Sequence, residues 1–390
     1  EEQNNLFYTH MQATTPGMCF QAPDGRYGGV NNPEDDPQCG TNNILKKLNS
    51  VKGNRTTNKM VTRFYAQLRP LKGLTIEGSW TYAFSDQFLY QQPVFHDLWN
   101  LYDNTLQIAG TGVSKVINRN NKTVRNNMDG LVRYETDIDR LNIQATVGAS
   151  QEAYRNNWFE ASKEKLTSSE LTELNAATAN ATATGTYSNW SMRSFFGRVN
   201  LNWDEKYLLE ANLRADASSR FAQKYRWGYF PSFSGAWRIS EENFMKEIDF
   251  VNNIKLKASY GTQGNDNLGN STPYLDQYEV VPQDGAIGIN YTWRGNKDLT
   301  WEKSNNFNVG VEFGLWDRIT GNIEYFIKET KDLLYYQAMP PSAGLPGTKA
   351  VNDMSMRNNG FEVELGVKII NTNNFKWNID ANITKYKNTV

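Results

Sequence analysis

Histidine and cysteine are almost missing: 390 residues hold two of each. A zinc centre or a histidine-based triad would have hardly any ligands or bases to draw on. No run of 18 apolar residues occurs, which excludes a transmembrane helix. An excess of one charge is missing too, with 41 basic against 42 acidic residues and a net charge of -1. A nucleic-acid partner would want a basic face, so that class is set aside. Residue 1 is not Met and no signal peptide is visible, so the chain reads as mature, processed or incomplete.

Aromatic residues and alternation are plentiful. Aromatics make up 13%, with 11 Trp and 20 Tyr, an excess expected of membrane-interface girdles and of carbohydrate-stacking surfaces. Leu74, Ile76, Gly78, Trp80, Tyr82 and Phe84 interleave with Thr75, Glu77, Ser79, Thr81, Ala83 and Ser85. A strand so built shows one face to an apolar medium and the other to a polar one. The pattern predicts about twelve strands, at 59–69, 74–86, 124–136, 140–151, 192–203, 206–216, 226–239, 252–262, 300–315, 318–331, 357–370 and 375–388. A modest overall hydropathy is no objection, because a spanning strand needs roughly 9–11 residues with half of them apolar.

The connections alternate strictly between short and long. Short ones fall at 70–73, 137–140, 204–205, 240–251, 317 and 371–374, and long ones at 86–123, 151–191, 217–225, 263–299 and 332–356. An outer-membrane barrel sorts its loops this way, with short periplasmic turns and long extracellular loops. The expected fold is therefore all-β, an antiparallel up-and-down transmembrane β-barrel, with a soluble β-sandwich or propeller as the competing architecture. A propeller would show a blade repeat near 40–50 residues, and no self-similarity is found. Residues 1–58 are Asn-, Pro- and Gly-rich and read as a long extracellular loop, and 59–390 read as barrel. The Ala/Thr/Asn stretch 175–185 is expected at a loop tip, with a short helix over 168–174.

Several segments then fall in a familiar order. They are Tyr207-Leu208-Leu209, the run Leu213 to Phe221 (LRADASSRF), Arg226 to Ser232 (RWGYFPS) and Ala236 to Glu242 (AWRISEE). Further on come Ile254 to Gly261, Leu299-Thr300-Trp301-Glu302, Tyr325 to Leu334, and Met356 to Glu362 (MRNNGFE). In this order and spacing the chain resembles the SusC/RagA family, the TonB-dependent (TonB-linked) outer-membrane transporters of Bacteroidetes. The match covers roughly residues 60–390 and is dense from 192 onward. What the resemblance implies is a 22-stranded barrel occluded by an N-terminal plug, a TonB-contacting motif before the plug, and a SusD-like surface lipoprotein as lid. This chain shows no plug-like region and about twelve strands, so it is expected to be a central-to-C-terminal piece of such a barrel. An arc with two unpaired edges cannot stand in lipid, so the remaining strands are expected elsewhere.

Candidate sites follow from chemistry and from the resemblance. Loop aromatics Trp99, Tyr102, Trp158, Tyr187, Trp190, Tyr274 and Trp293 can stack on a sugar ring, pack on a peptide, grip a lid protein or stitch the loops together. Arg214, Asp216, Ser219 and Arg220 match the family pattern and favour a structural reading, with Arg214 and Asp216 paired on the lumen face. Trp227 and Tyr229, with Phe230 and Trp237, are expected in an interface girdle, and Pro231 removes a ladder donor and predicts a bulge. Cys19 and Cys39 share one outer loop, where a disulfide is the default in an oxidising compartment. No cofactor is expected. The acidic runs 33–37 and 265–267 could suggest calcium but lack EF-hand spacing and read as solvated loop. His10 and His96 are left without a role.

The expected function is nutrient import across a bacterial outer membrane, with glycan or peptide cargo, a SusD-like lipoprotein partner and energy delivered by the TonB complex through a plug. A passive porin or a structural or adhesive barrel is the alternative. No convergent acid/base or nucleophile set suggests an enzyme.

Overall fold

The computed structural model describes residues 21–28, 43–49, 51–93, 97–100, 105–108, 114–167, 171–283, 286–343 and 347–390. Twelve strands form one sheet. They are β1 (Val51–Leu71), β2 (Leu74–Pro93), β3 (Lys115–Ile138), β4 (Leu141–Leu166), β5 (Ala177–Trp203) and β6 (Tyr207–Ser218). Then come β7 (Trp227–Arg238), β8 (Val251–Asn265), β9 (Glu302–Leu315), β10 (Ile319–Lys331), β11 (Ser355–Asn371) and β12 (Lys376–Thr389). Each strand pairs with its neighbour in sequence, and β1 and β12 are the two edges. This is the expected up-and-down meander, reached because each hairpin closes locally. At Asp204-Glu205 and at Trp316-Asp317 two successive residues have φ between 52° and 55°, the left-handed geometry whose twist matches that of the flanking strands.

The strands before residue 204 are longer than the alternation predicts. β1 begins at Val51 rather than 59, β2 runs on to Pro93, β3 starts at Lys115, and β4 and β5 reach Leu166 and Ala177. Most of these extensions carry polar residues on both faces, and the run 177–185 alternates only Ala and Gly with Thr and Asn, so no period of large apolar residues marks them. They hold instead by side-chain pairs along the ladder: Arg119 Nε donates to Glu160 Oε2 at 2.8 Å, Asn156 Nδ2 to Thr123 Oγ1 at 2.9 Å, and the Ser162 and Thr182 hydroxyls meet at 2.7 Å. The low-complexity stretch 175–185 is accordingly strand from Ala177 onward, not a loop tip. Of the helix expected over 168–174, residues 168–170 lie outside the described residues and the rest gives only a 3₁₀ turn at Leu174–Ala176.

The chain divides into two compact units. One comprises 1–60, 83–124 and 155–188, the other 61–82, 125–154 and 189–390, so β1 to β5 contribute to both. The first unit holds a six-residue helix, Ile44–Asn49, whose Lys46 N–H is capped by Asn43 Oδ1 at 2.9 Å. It also holds a small sheet of Tyr27–Gly28, Leu98–Asn100 and Thr105–Ile108.

The second unit shows why the wall is not a soluble sheet. Along β6, Tyr207, Leu209, Ala211 and Leu213 are exposed, while Glu210, Asn212, Arg214 and Asp216 are half-buried or buried. Leu256 and Tyr260, and Phe307 and Val311, repeat the inversion on β8 and β9. Only an apolar medium makes that arrangement stable, and no helix among the described residues is long and apolar enough to span a membrane. The polar face is satisfied by pairing: Lys257 Nζ lies 3.0 Å from Glu312 and 3.1 Å from Glu324, Lys255 joins Glu312 at 3.3 Å, and Arg198 reaches Glu210 at 2.8 Å. Aromatic pairs stack where the wall meets the turns, Tyr207 on Trp237 and Phe250 on Trp316, as interfacial rings do.

Pro231 does not produce a bulge. Its register is continuous with β6, opposite Leu213, and pairing with β8 begins only at Ser232. The missing N–H falls where the β7–β8 ladder has already ended, so no bond is lost.

Candidate functional site

On the polar face of β6 to β10 lies a groove of about 850 Å³. Asn212, Ser232, Ser259, Thr262, Asn306 and Asn308 supply neutral donors and acceptors along it, with Glu210, Arg214, Asp216 and Lys328 as its charges. Phe230 bounds it at the long-loop end. Here the girdle expectation is corrected: Trp227 and Tyr229 are exposed on the apolar face, but Phe230 turns to the polar face and is buried. The reason is steric. Gly228 and Gly264 leave the slot its ring fills, since a Cβ on Gly228 would come within 2.5 Å of the ring and one on Gly264 would overlap it.

Phe230 is also the floor of a core built from loops. Phe221, Phe230, Leu299, Trp301 and Ala350 pack together, with Met192, Tyr225, Leu268, Trp293 and Leu334 against them. Trp301 meets Phe230 edge-on at 5.3 Å and donates Nε1–H to Arg226 O at 2.9 Å. Asn352 Oδ1 accepts from Thr300 N–H at 2.8 Å. The described residues of the connections 219–226, 266–301 and 332–354 are thus fastened into one block.

The residues matching the family pattern fasten that block to the strands. Arg220 Nη1 donates to Asp266 Oδ1 at 2.9 Å, and Ser218 Oγ donates to Asp266 Oδ2 at 2.6 Å. The Arg220 guanidinium lies 4.5 Å from the Trp190 ring centre, and Trp190 in turn stacks on Tyr154. Ser219 exchanges bonds with Ser191: its Oγ accepts from Ser191 N–H, and its own N–H donates to Ser191 O, both at 2.9 Å. Arg214 Nε reaches Asp216 at 2.9 Å and Nη2 donates to Ser194 Oγ at 2.8 Å. Asp266, expected as solvated loop charge, is instead buried against Arg220.

Among the described candidate loop aromatics of the second unit, Trp190 and Trp293 are occupied internally, the latter edge-on to Tyr336 at 5.3 Å with Nε1–H donated to Pro273 O at 3.2 Å. In the first unit Trp99 lies under Arg26 at 5.0 Å and Trp158 under Arg119 at 5.7 Å. Tyr187 is exposed and Tyr274 half-buried. Tyr102, Cys19, Cys39, the run 33–37, His10 and His96 lie outside the described residues. Among the described residues no group of three His, Cys, Asp or Glu side chains is placed to hold a metal.

Within the loop 266–301 a hairpin pairs Gln277–Gln283 with Ala286–Trp293. Asp276 anchors its root, accepting Gly295 N–H at 2.9 Å and the Tyr291 hydroxyl proton at 2.8 Å. These bonds hold the Asp276 carboxyl below its ordinary pKa, while burial and then Asp276 push the Tyr291 hydroxyl up. Reading the sequence missed Phe221, Leu299 and Asp266 as members of the block; they sit in loops, where no periodicity marks a buried residue.

Comparison with known proteins agrees with this geometry. The family model described as TonB dependent receptor-like, beta-barrel matches residues 20–389. The TonB-dependent receptor SusC of Bacteroides thetaiotaomicron is 31% identical over 270 residues, 66% of this chain and 26% of its own length. A TonB-dependent receptor of Formosa agariphila is 27% identical over 402 residues, 100% of this chain and 39% of its own length. Among solved structures, the RagAB peptide transporter superposes with a TM-score of 0.79 at 22% identity, over 88% of this chain and 37% of that one. The chain therefore spans well under half the length of these relatives. It belongs to the TonB-dependent receptor-like β-barrel family and forms part of a barrel wall in a bacterial outer membrane.

Proposed function

We propose that this wall belongs to an energised importer that takes up a hydrophilic nutrient, a glycan or a peptide, from the cell surface. The observation that carries the reading is Phe230, which bounds the polar groove on one side and supports the loop block on the other. A polar, internally paired face lets cargo pass without meeting lipid, and a block of fused loops above it suits a controlled entrance better than a standing pore. In this reading a plug elsewhere in the full transporter closes the lumen, TonB moves it, and a SusD-like surface lipoprotein delivers cargo to the outer loops. The residues Arg214, Asp216, Ser219 and Arg220 then act by positioning the block, and cargo meets the groove. Neutral amide and hydroxyl groups such as Asn212, Asn306 and Asn308 serve sugar hydroxyls and peptide amides alike, and the peptide cargo of RagAB supports the second class.

The test is uptake by the full-length transporter carrying Asn212→Ala, Asn306→Ala and Asn308→Ala together. Uptake of its oligosaccharide or oligopeptide cargo should fall while surface expression holds. Unchanged uptake at equal expression would remove the groove from the path.

A further inference from the structure

The apolar face of the wall is not uniformly built. Between β4 and β7 it carries a groove of about 370 Å³ lined almost wholly by apolar atoms. The registers place Gly197 beside Leu213 and Leu213 beside Pro231 in one row, and Val199, Ala211 and Phe233 in the next. Small residues make the floor: Gly197, Ala211 and, from β4, Ala145. Val147, Leu213 and Phe233 stand up around it, exposed to 60%, 53% and 57%.

The depression is not forced by the backbone. Gly197 has no left-handed φ, and a Cβ built on it would meet nothing nearer than Thr146 O at 3.9 Å and Val147 Cγ1 at 4.0 Å. A larger side chain would fit, so the space is left open by residue choice. At the long-loop end the rows continue to Phe195 beside Ala215 and Trp227 beside Ala217. There Phe195 and Trp227 stack at 6.1 Å, the placement of aromatic rings at headgroup level.

We propose that this groove is an acyl-chain site, in which one hydrocarbon chain of a lipid from the adjacent leaflet lies with its head group near the Phe195–Trp227 pair. The chemistry selects the occupant. The groove is continuous with the lipid-facing surface, and the polar residues in its lining, Thr146, Arg198 and Asn212, alternate with the lipid-facing ones, Arg198 pairing with Glu210 on the polar face, so almost no polar surface is presented to an occupant. A narrow depression left empty in hydrocarbon would forfeit dispersion contacts that a flexible chain recovers. The proposal rests on the membrane placement of the wall and not on what the transporter imports.

The full-length transporter is reconstituted in phospholipid nanodiscs doped with a phospholipid bearing a diazirine on its acyl chain, photolysed, and mapped by mass spectrometry. Label is expected on residues 195–199, 211–213 and 231–233 several-fold above the lipid-facing residues of β9 to β11. Filling the floor with Gly197→Leu and Ala211→Leu should abolish that excess. If the filled protein fails to fold, flattening the rim with Val147→Ala and Leu213→Ala should lower the excess in its place. Even labelling around the wall, or an excess unchanged by the substitutions, would overturn the site. Cross-links from a second protein chain at these residues would overturn it in favour of a protein contact.

Discussion

Arg220 is held from two sides, its guanidinium 4.5 Å from the centre of the Trp190 ring and its Nη1 2.9 Å from Asp266 Oδ1. Both members of the ion pair are deeply shielded, with 11% and 9% of their side chains exposed. Removing one member strands the other charge in a poorly hydrated place, a loss of about 3–5 kcal/mol for a buried pair. Arg220→Ala should therefore release the loop 266–301, read as loss of amide-exchange protection there, with the strands β8 and β9 still protected. Arg220→Lys keeps the charge but loses the planar stack and should fall between the two.

The two faces of β6 predict opposite responses to one substitution. Leu213→Arg puts a charge on the lipid face and should cost about 2–4 kcal/mol near mid-bilayer. Asn212→Arg, one residue away, places the same charge on the polar face and should be tolerated. Urea titration of folding in lipid vesicles compares them, and equal costs would contradict the assignment of faces.

Phe230 occupies a slot that two glycines leave open. Gly264→Ala should expel the ring and destabilise the block by about 1–3 kcal/mol, the usual cost of overpacking. A smaller ring-free residue, Phe230→Val, introduced alongside should recover part of that loss. The readout is limited proteolysis of the loops 219–226 and 332–354.

At the turn end, Glu242 accepts from the Tyr207 hydroxyl at 2.7 Å, the Trp237 indole at 3.1 Å and Lys206 at 3.3 Å. The Tyr207 bond first and the Trp237 bond next hold its carboxyl below the ordinary glutamate pKa. A lowered folded pKa contributes stability that is fully present above the unfolded value and is lost as pH falls through the folded one. The wild-type barrel should thus lose stability on acidification below the ordinary glutamate range, and Glu242→Gln should lose less over the same window. Parallel acid profiles of the urea midpoint would contradict this.

How much of this was legible in the sequence depends on what each residue faces. All twelve strands could be read, because lipid imposes a period of two on residues such as Leu209, Ala211 and Leu213. The extensions Lys115–Thr123 and Ala177–Gly185 could not: the first is polar on both faces, and the alternating face of the second carries only Ala and Gly, too small to mark a lipid-facing strand. Arg214 and Asp216 were readable as a pair from their i, i+2 spacing. Asp266 was not: its partner Arg220 lies across the intervening strands β7 and β8, and nothing local distinguishes a buried loop carboxylate from a solvated one. Trp190 and Trp293 show the converse, aromatics whose loop position suggested cargo contact and whose rings are taken up by Arg220 and Tyr336.

The proposed role of this wall is in an importer driven from the inner membrane. Uptake of a labelled oligosaccharide or oligopeptide cargo is measured in cells carrying the full-length gene, with and without a protonophore and with the gene deleted. Uptake should disappear on deletion and also on collapse of the proton gradient. Uptake that requires the gene but persists without the gradient would make the barrel a passive pore and contradict that role.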